Sequence, residues 1–229
     1  MISPTRSWVE NEVKRRGWVW FGNGEYNVNL VGVRNPEEPS EGDPFNDWLT
    51  LSYRTFPDSI LYPWGCNRWQ GSVPGARLVM LGNVERETGW CFHAFPATLD
   101  PGIPYLLDPM NPLGTAIIAE QQARGAYKLG LHRGKYPALV QHKPVKFWRD
   151  NTRDARRDHV NLQEAAVGLN IHHAARTSTP ESDVGMHSAG CSVIPTMTDW
   201  NLFLAIMERS AAAYGETFTY TVLESRKNA

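Results

Sequence analysis

The stretch "SAGCSVIPTMTDWNLFLAIMERSAAAYGETFTYTVLE", residues 188–224, decides the fold. Thr198 is placed to cap a helix in which Trp200, Phe203, Leu204, Met207, Ala211 and Tyr214 recur at spacings of three and four, so they share one face. Gly215 marks the end of that helix, because glycine enters the left-handed stop conformation without strain. "TFTYTVLE" then alternates residue by residue, the period of a half-buried strand. A helix with one apolar face must bury it, and extended segments dominate the rest of the chain. The expected class is therefore α+β and β-dominated, a mixed sheet with one long C-terminal helix packed on it.

Upstream, Ser7 followed by Glu10 is a capping-box pattern, and "SWVENEVKRRG" runs as a short helix to Gly17. "WVWF" and "EYNVNLVGVR" flank Gly-Asn-Gly, with Tyr26, Val28 and Leu30 alternating against Asn27 and Asn29, a hairpin signal. "DWLTLSYR" reads as a further strand, and "ARLVMLGNVERETGWCFHAF" as two strands joined by a polar turn. The segment from Pro36 to Asp43 is an exposed loop, and "DPGIPYLLDPMNPLG", broken by prolines and glycines, is expected to wander over the surface. "TAIIAEQQARGAYKLGLHRGKYPALVQHKPVKFWRD" offers three or four extended runs, and "NTRDARRDHV" is a solvated charged turn. No repeat, low-complexity tract or linker interrupts the chain, so residues 1–229 are expected to form a single domain.

Composition narrows the function. With 229 residues, 41% hydrophobic and 21% charged, the chain can bury its own core. A formal net charge of −1 supplies no field toward nucleic acid or anionic lipid. Nine Trp, eight Tyr and eight Phe are many rings, most of them expected in the core because each buries a large area. Three cysteines (Cys66, Cys91 and Cys191) are too few for a disulfide framework, and the odd count leaves at least one thiol free. Cys66 and Cys91 are small hydrophobes or a pair. "MISPTRSWVENEVKRRG" carries charges where the apolar core of a signal peptide would lie, and no run approaches the length of a membrane span.

Three histidines and a cysteine crowd residues 168–195, "GLNIHHAARTSTPESDVGMHSAGCSVIP". His172, His173, His187 and Cys191 could hold a zinc ion, since imidazole and thiolate are its usual ligands. Alternatively, Cys191 is a nucleophile: an ordinary thiol with pKa of about 8.5 is mostly protonated at neutral pH, so it needs a base within reach. His172 can take that proton and return one to the leaving amine. Gly190 lets the backbone turn tightly, and the amides around it can face a developing oxyanion.

The residues "NIHH…HSAGCSV", followed by helix and strand, resemble the catalytic motif of the L,D-transpeptidase (YkuD-like) domain, with a His ending one strand, a loop, and then Ser-His-Gly-Cys. His172 matches the general base, Ser188 the motif serine, Gly190 the glycine and Cys191 the nucleophile, and their separation of 19 residues (191 − 172) agrees with the family's loop. "TLDPG", ending at Pro101–Gly102, is similar to the family's "TPxG" turn. The resemblance covers residues 90–224 as the catalytic core of a mixed β-sandwich and leaves residues 1–89 as an N-terminal extension. They could cover the groove, bind glycan through Trp64 and Trp69, or complete the sheet. Departures fall at His173, Ala189 and Val193, where the family carries Gly, His and Arg or Asn. His187 is placed to replace the missing motif histidine, and a backbone carbonyl at His173 to orient the base. Arg176 either holds a substrate carboxylate or is a solvated loop arginine, and His132 is a turn histidine or a second polar group facing the site.

The resemblance implies a bacterial peptidoglycan stem peptide as partner, a thioester on Cys191, and no metal or organic cofactor. Altered donor and acceptor positions and the missing export signal point to a cell-wall peptidase of the phage lysis type, made in the cytoplasm and released through a membrane pore. The alternatives are a cross-linking L,D-transpeptidase, a non-catalytic wall-binding protein, a cytosolic amide-cleaving enzyme, and a zinc-dependent N-acetylmuramoyl-L-alanine amidase. The last is suggested by "IHHAA", although only 56 residues (229 − 173) follow His173 where that family has most of its domain.

Overall fold

The computed structural model describes residues 3–36, 43–55, 84–85 (backbone only), 89–174 and 179–225. Helix α1, Arg6–Arg15, starts from Thr5, whose Oγ accepts from the Trp8 N–H at 3.3 Å. The cap is thus two residues before the Ser7 that the capping-box pattern suggests. Glu10 is drawn instead into ion pairs with Arg6 and Lys14 along the helix surface. Val9 and Val13 bury the inner face.

A nine-stranded sheet forms the body. Its strands are β1 (Asn29–Arg34), β2 (Asp47–Arg54), β3 (Val84–Glu85), β4 (Trp90–Ala97), β6 (Gln121–His132), β7 (Tyr136–Gln141), β10 (Ile171–His173), β11 (Ser192–Ile194) and β12 (Thr217–Glu224). Their spatial order is β11-β10-β7-β6-β12-β1-β2-β4-β3. The sheet bends back on itself: Thr98, just past β4, exchanges two backbone hydrogen bonds of 2.9 Å with Val193 of β11. Strands β5 (Thr115–Ile118), β8 (Val145–Asp150) and β9 (Gln163–Ala165) make a second, three-stranded sheet. The protein is α+β and β-dominated, with a large and mostly closed sheet. Strands β1 and β2 lie inside that sheet, between β12 and β4.

Helix α3, Met197–Tyr214, is capped by Thr196 rather than Thr198. Thr196 Oγ1 accepts from the Asp199 N–H at 3.0 Å and donates to its carboxylate at 2.9 Å, which satisfies one of the helix's orphan amides. Trp200, Phe203 and Met207 are buried against the sheet, with Phe203 edge-on to Phe95 at 5.9 Å. Gly215, at φ 89°, ends the helix. The expectation that most rings lie in the core is corrected: Tyr53, Tyr127, Phe147, Trp200, Phe203 and Tyr220 are fully buried, but fewer than half of the described aromatic side chains are. Trp8, Trp18, Trp20 and Trp48 are only partly buried, packed on the small cluster of Val9, Val13, Val31, Val33 and Leu223.

Three local expectations are corrected. Residues 18–21 form no strand. The Asn29 side chain bonds both the N–H and the carbonyl of Phe21, and Gln122 does the same for Val19. Side-chain amides thus replace a ladder partner there. The proline-rich segment holds a short helix, α2 (Ile103–Leu107). In the charged turn, Arg157 is buried, hydrogen-bonded to Asp43 at 3.2 Å and ion-paired with Asp100 at 3.5 Å, while Arg34 pairs with Asp100 at 2.9 Å and with Glu224. That network fixes the turn after β4, and the turn in turn seats the motif: the Gly102 N–H donates to Ser188 O at 2.9 Å. The segments 37–42 and 76–83, Cys66, Trp64 and Trp69 lie outside the described residues.

His93 gives this core a pH dependence. Its ring lies parallel between Tyr53 and Phe95, and burial pulls its pKa down to about 4. Below pH ~6.5 the unfolded chain binds a proton that the folded chain refuses, so stability falls as pH drops from about 6.5 toward 4. At about 1.4 kcal/mol per pKa unit the loss reaches ~2 kcal/mol by pH ~4.5. Urea midpoints measured at both pH values should show a smaller acid loss in His93→Phe than in wild type. An equal loss would contradict this role.

Candidate active site

Strands β10 and β11 are parallel neighbours, with His172 paired to Val193. One element presents the histidine, and the turn entering the next presents the cysteine. The side-chain ligand atoms of His132, His172 and Cys191 all lie within 4.8 Å of one another. The two imidazole rings stand 4.1 Å apart between centroids. His172 and His132 are buried, while Cys191 keeps some exposure to solvent.

Each ring nitrogen can be assigned a role from its partners. His172 Nδ1 is 2.9 Å from the carbonyl oxygen of His173. A carbonyl only accepts, so Nδ1 carries the proton and Nε2 keeps its lone pair, the form a general base needs. The Tyr136 hydroxyl sits 3.3 Å from the same nitrogen. Asn170 Oδ1 accepts from the Gln141 N–H at 2.9 Å, which fixes its amide. Its Nδ2 then donates to His132 Nδ1 at 3.1 Å, leaving the proton of His132 on Nε2.

Ser188 holds the nucleophile turn. Its buried hydroxyl donates to Cys191 O at 2.7 Å and accepts from the Gly190 N–H at 3.1 Å. Gly190 has φ +118°, and a Cβ there would meet Ala116 O of β5 at 2.2 Å. The thiol points along the β10 approach: Sγ accepts from the Asn170 N–H at 3.4 Å and donates to Gly168 O at 3.6 Å. In the resting site the thiol proton therefore rests on a carbonyl, beside the imidazole.

Burial pushes the Cys191 thiol up to about 11, against smaller lowering by the Asn170 N–H and the charge of Arg133. Burial also pulls His172 down to about 3, with the His173 carbonyl opposing it. Both groups are neutral at pH 7, unlike a preformed thiolate–imidazolium pair. Alkylation of Cys191 by iodoacetamide, followed by peptide mapping, should accelerate about tenfold per pH unit between pH ~7 and ~10, following the thiolate fraction. A rate independent of pH over that range would indicate a preformed ion pair.

His173 contributes its carbonyl, and its ring packs on Tyr136 at 4.6 Å and Trp200 at 5.8 Å. His187, on the 3-10 turn Gly185–His187, faces Glu181 at 3.7 Å rather than the thiol. The four-ligand set of His172, His173, His187 and Cys191 is thus not gathered; among the described residues, His132 completes the cluster instead. Arg176 lies outside the described residues. His132 ends β6 beside the nucleophile. Asn170, Tyr136 and Arg133 join the site without a motif to mark them. Asn170 had one available signal, its place two residues before His172 and so on the same face of an extended segment. Arg133 sits in the β6–β7 turn, and its charge acts on Cys191, His132 and His172.

Comparison with known proteins adds no assignment, since no family model, curated protein or solved structure matches the chain. Among the described residues, no helix is long and apolar enough to cross a membrane.

Proposed function

We propose that the chain is a cysteine peptidase acting on the stem peptide of bacterial peptidoglycan, with an L,D-transpeptidase-like arrangement of nucleophile and base. One observation carries the reading. Cys191 Sγ lies within 4.8 Å of a ring nitrogen of His172, and the Nδ1 proton of that ring is held by the His173 carbonyl. For the transfer, the thiol proton has to turn from Gly168 O, which it faces in the resting site, to the unprotonated Nε2 of His172.

The reaction then runs in two halves. Sγ attacks the substrate carbonyl carbon as its proton passes to His172 Nε2. The Gly190 N–H is engaged by Ser188, and the Ser192 N–H by Asn170 O at 2.9 Å, so we assign the oxyanion to the nucleophile's own Cys191 N–H. Collapse breaks the C–N bond, and the imidazolium proton leaves with the amine. Water, deprotonated by His172, attacks the thioester, releases the carboxylic acid and returns the thiol. An amine in place of water would cross-link instead.

Hydrolysis is favoured by Val193. The position that shapes the donor site in transpeptidases is here an apolar side chain with 0% exposure, engaged in the sheet. The test is mass spectrometry of purified muropeptides incubated with wild type and Cys191→Ser. Shortened stem peptides with wild type alone support a peptidase, whereas exchanged peptides with wild type alone support a transpeptidase. Unchanged muropeptides overturn both.

A further inference from the structure

Three potential metal ligands meet where the catalytic reading uses two. We propose that the site binds one thiophilic divalent cation, Zn2+ being the best fit, through Cys191 Sγ and one ring nitrogen each of His172 and His132, and that occupancy silences the nucleophile. The binding stands on geometry alone; only the silencing rests on the peptidase reading.

Residues far apart in the chain converge here, from the end of β6, from β10 and from the turn before β11. Their ligand atoms lie within 4.8 Å of one another. With Zn–S of about 2.3 Å and Zn–N of about 2.0–2.1 Å, the ligand atoms of a tetrahedral site stand about 3.3–3.6 Å apart. Binding therefore requires the three side chains to draw together from separations of up to 4.8 Å. His172 already has the outer support of a metal ligand, its Nδ1 proton held by a backbone carbonyl with Nε2 left open. Cys191 is the one member of the cluster that is not fully buried as a residue, and three protein ligands leave a fourth position for water. Coordination replaces the S–H bond by an S–metal bond and releases one proton to solvent.

His132 is the contested ligand, and this makes the proposal testable. Asn170 donates to its Nδ1. Coordination through Nδ1 takes the lone pair that Asn170 uses, and coordination through Nε2 moves the proton to Nδ1, against the same amide. Asn170→Asp resolves the conflict: one carboxylate oxygen keeps the Gln141 N–H, and the other accepts a proton from His132 Nδ1. It therefore tightens binding, where loss of a merely structural amide would weaken it or leave it unchanged.

The experiment titrates folded full-length protein with Co2+ alone and follows the thiolate-to-cobalt charge-transfer absorption, with circular dichroism as a check on folding. Wild type should show the band at one equivalent, and Zn2+ should bleach it and protect Cys191 from iodoacetamide. Cys191→Ser should lose the band. His132→Gln should weaken binding about tenfold or more, and Asn170→Asp should strengthen it by a similar factor. Absence of the band in wild type overturns the site, and unchanged affinity in both variants removes His132 from it. Muropeptide cleavage, assayed separately with and without Zn2+, should fall to background when the cation is bound. Cleavage that rises with Zn2+ overturns the silencing. Absence of cleavage with an intact cobalt band instead counts against the peptidase reading alone.

Discussion

His172→Gln is expected to lower muropeptide turnover by about 10²–10⁴-fold with little change in KM, the usual contribution of a positioned general base. Glutamine keeps a donor for the His173 carbonyl but has no group that accepts a proton at Nε2. The loss should be steep because burial holds the Cys191 thiol near 11, so little thiolate exists without the base. The same cause gives the variant its own signature. Its residual rate should climb with pH as hydroxide removes the proton that His172 no longer takes. A variant that is merely disordered locally would be slow at every pH. Turnover profiles of wild type and variant from pH 6 to about 10 separate the two.

Gly190→Ala is expected to destabilise the fold and abolish activity together. Gly190 has φ +118°, outside the range of L side chains, and its added Cβ would stand 2.2 Å from Ala116 O and 3.0 Å from a Leu169 methyl. Ala116 belongs to the second sheet, paired with Arg149 of β8, so that carbonyl cannot simply turn away. Strain of this kind costs about 1–3 kcal/mol from the backbone alone, before the clash is relieved. Gly17 is the control, with φ +71° and nothing within 4 Å of its added Cβ. Gly17→Ala should cost only the left-handed backbone penalty, about 1–2 kcal/mol. Urea midpoints for both variants give the comparison. A Gly190→Ala protein with the wild-type midpoint would mean that the nucleophile turn is not pinned against β5.

What the sequence made legible follows the range of the forces involved. Helix α3 and strand β12 were readable because periodicity is local, and α3 was misplaced only at its start. Thr196 and Thr198 are both cap candidates, and Asp199, three residues after Thr196, favours the first. Strand β2 was readable for the same reason. Residues 18–21 misled because the Asn29 and Gln122 amides compete for backbone groups that a strand would have used. Arg157 looked like its neighbours in a charge run, and only Asp43 and Asp100, distant in the chain, mark it as buried. In the site, Cys191, Gly190 and His172 were visible through chemistry and spacing. Tyr136 and Asn170 were not, because each matters through a contact that the sheet creates. His132 is visible as a polar turn residue, but nothing in "GLHRG" says that its turn ends beside β10.

A cysteine peptidase must carry the acyl group on sulfur between its two half-reactions. The most direct measurement is intact-protein mass spectrometry of wild type mixed with a tetrapeptide muropeptide and quenched in acid within the first turnovers. The expected result is a mass increase equal to the donor acyl group, mapped to the Cys191 peptide, removed by hydroxylamine and absent from Cys191→Ser. Muropeptides shortened at undiminished rate by Cys191→Ser, with no adduct on the wild-type thiol, would contradict it.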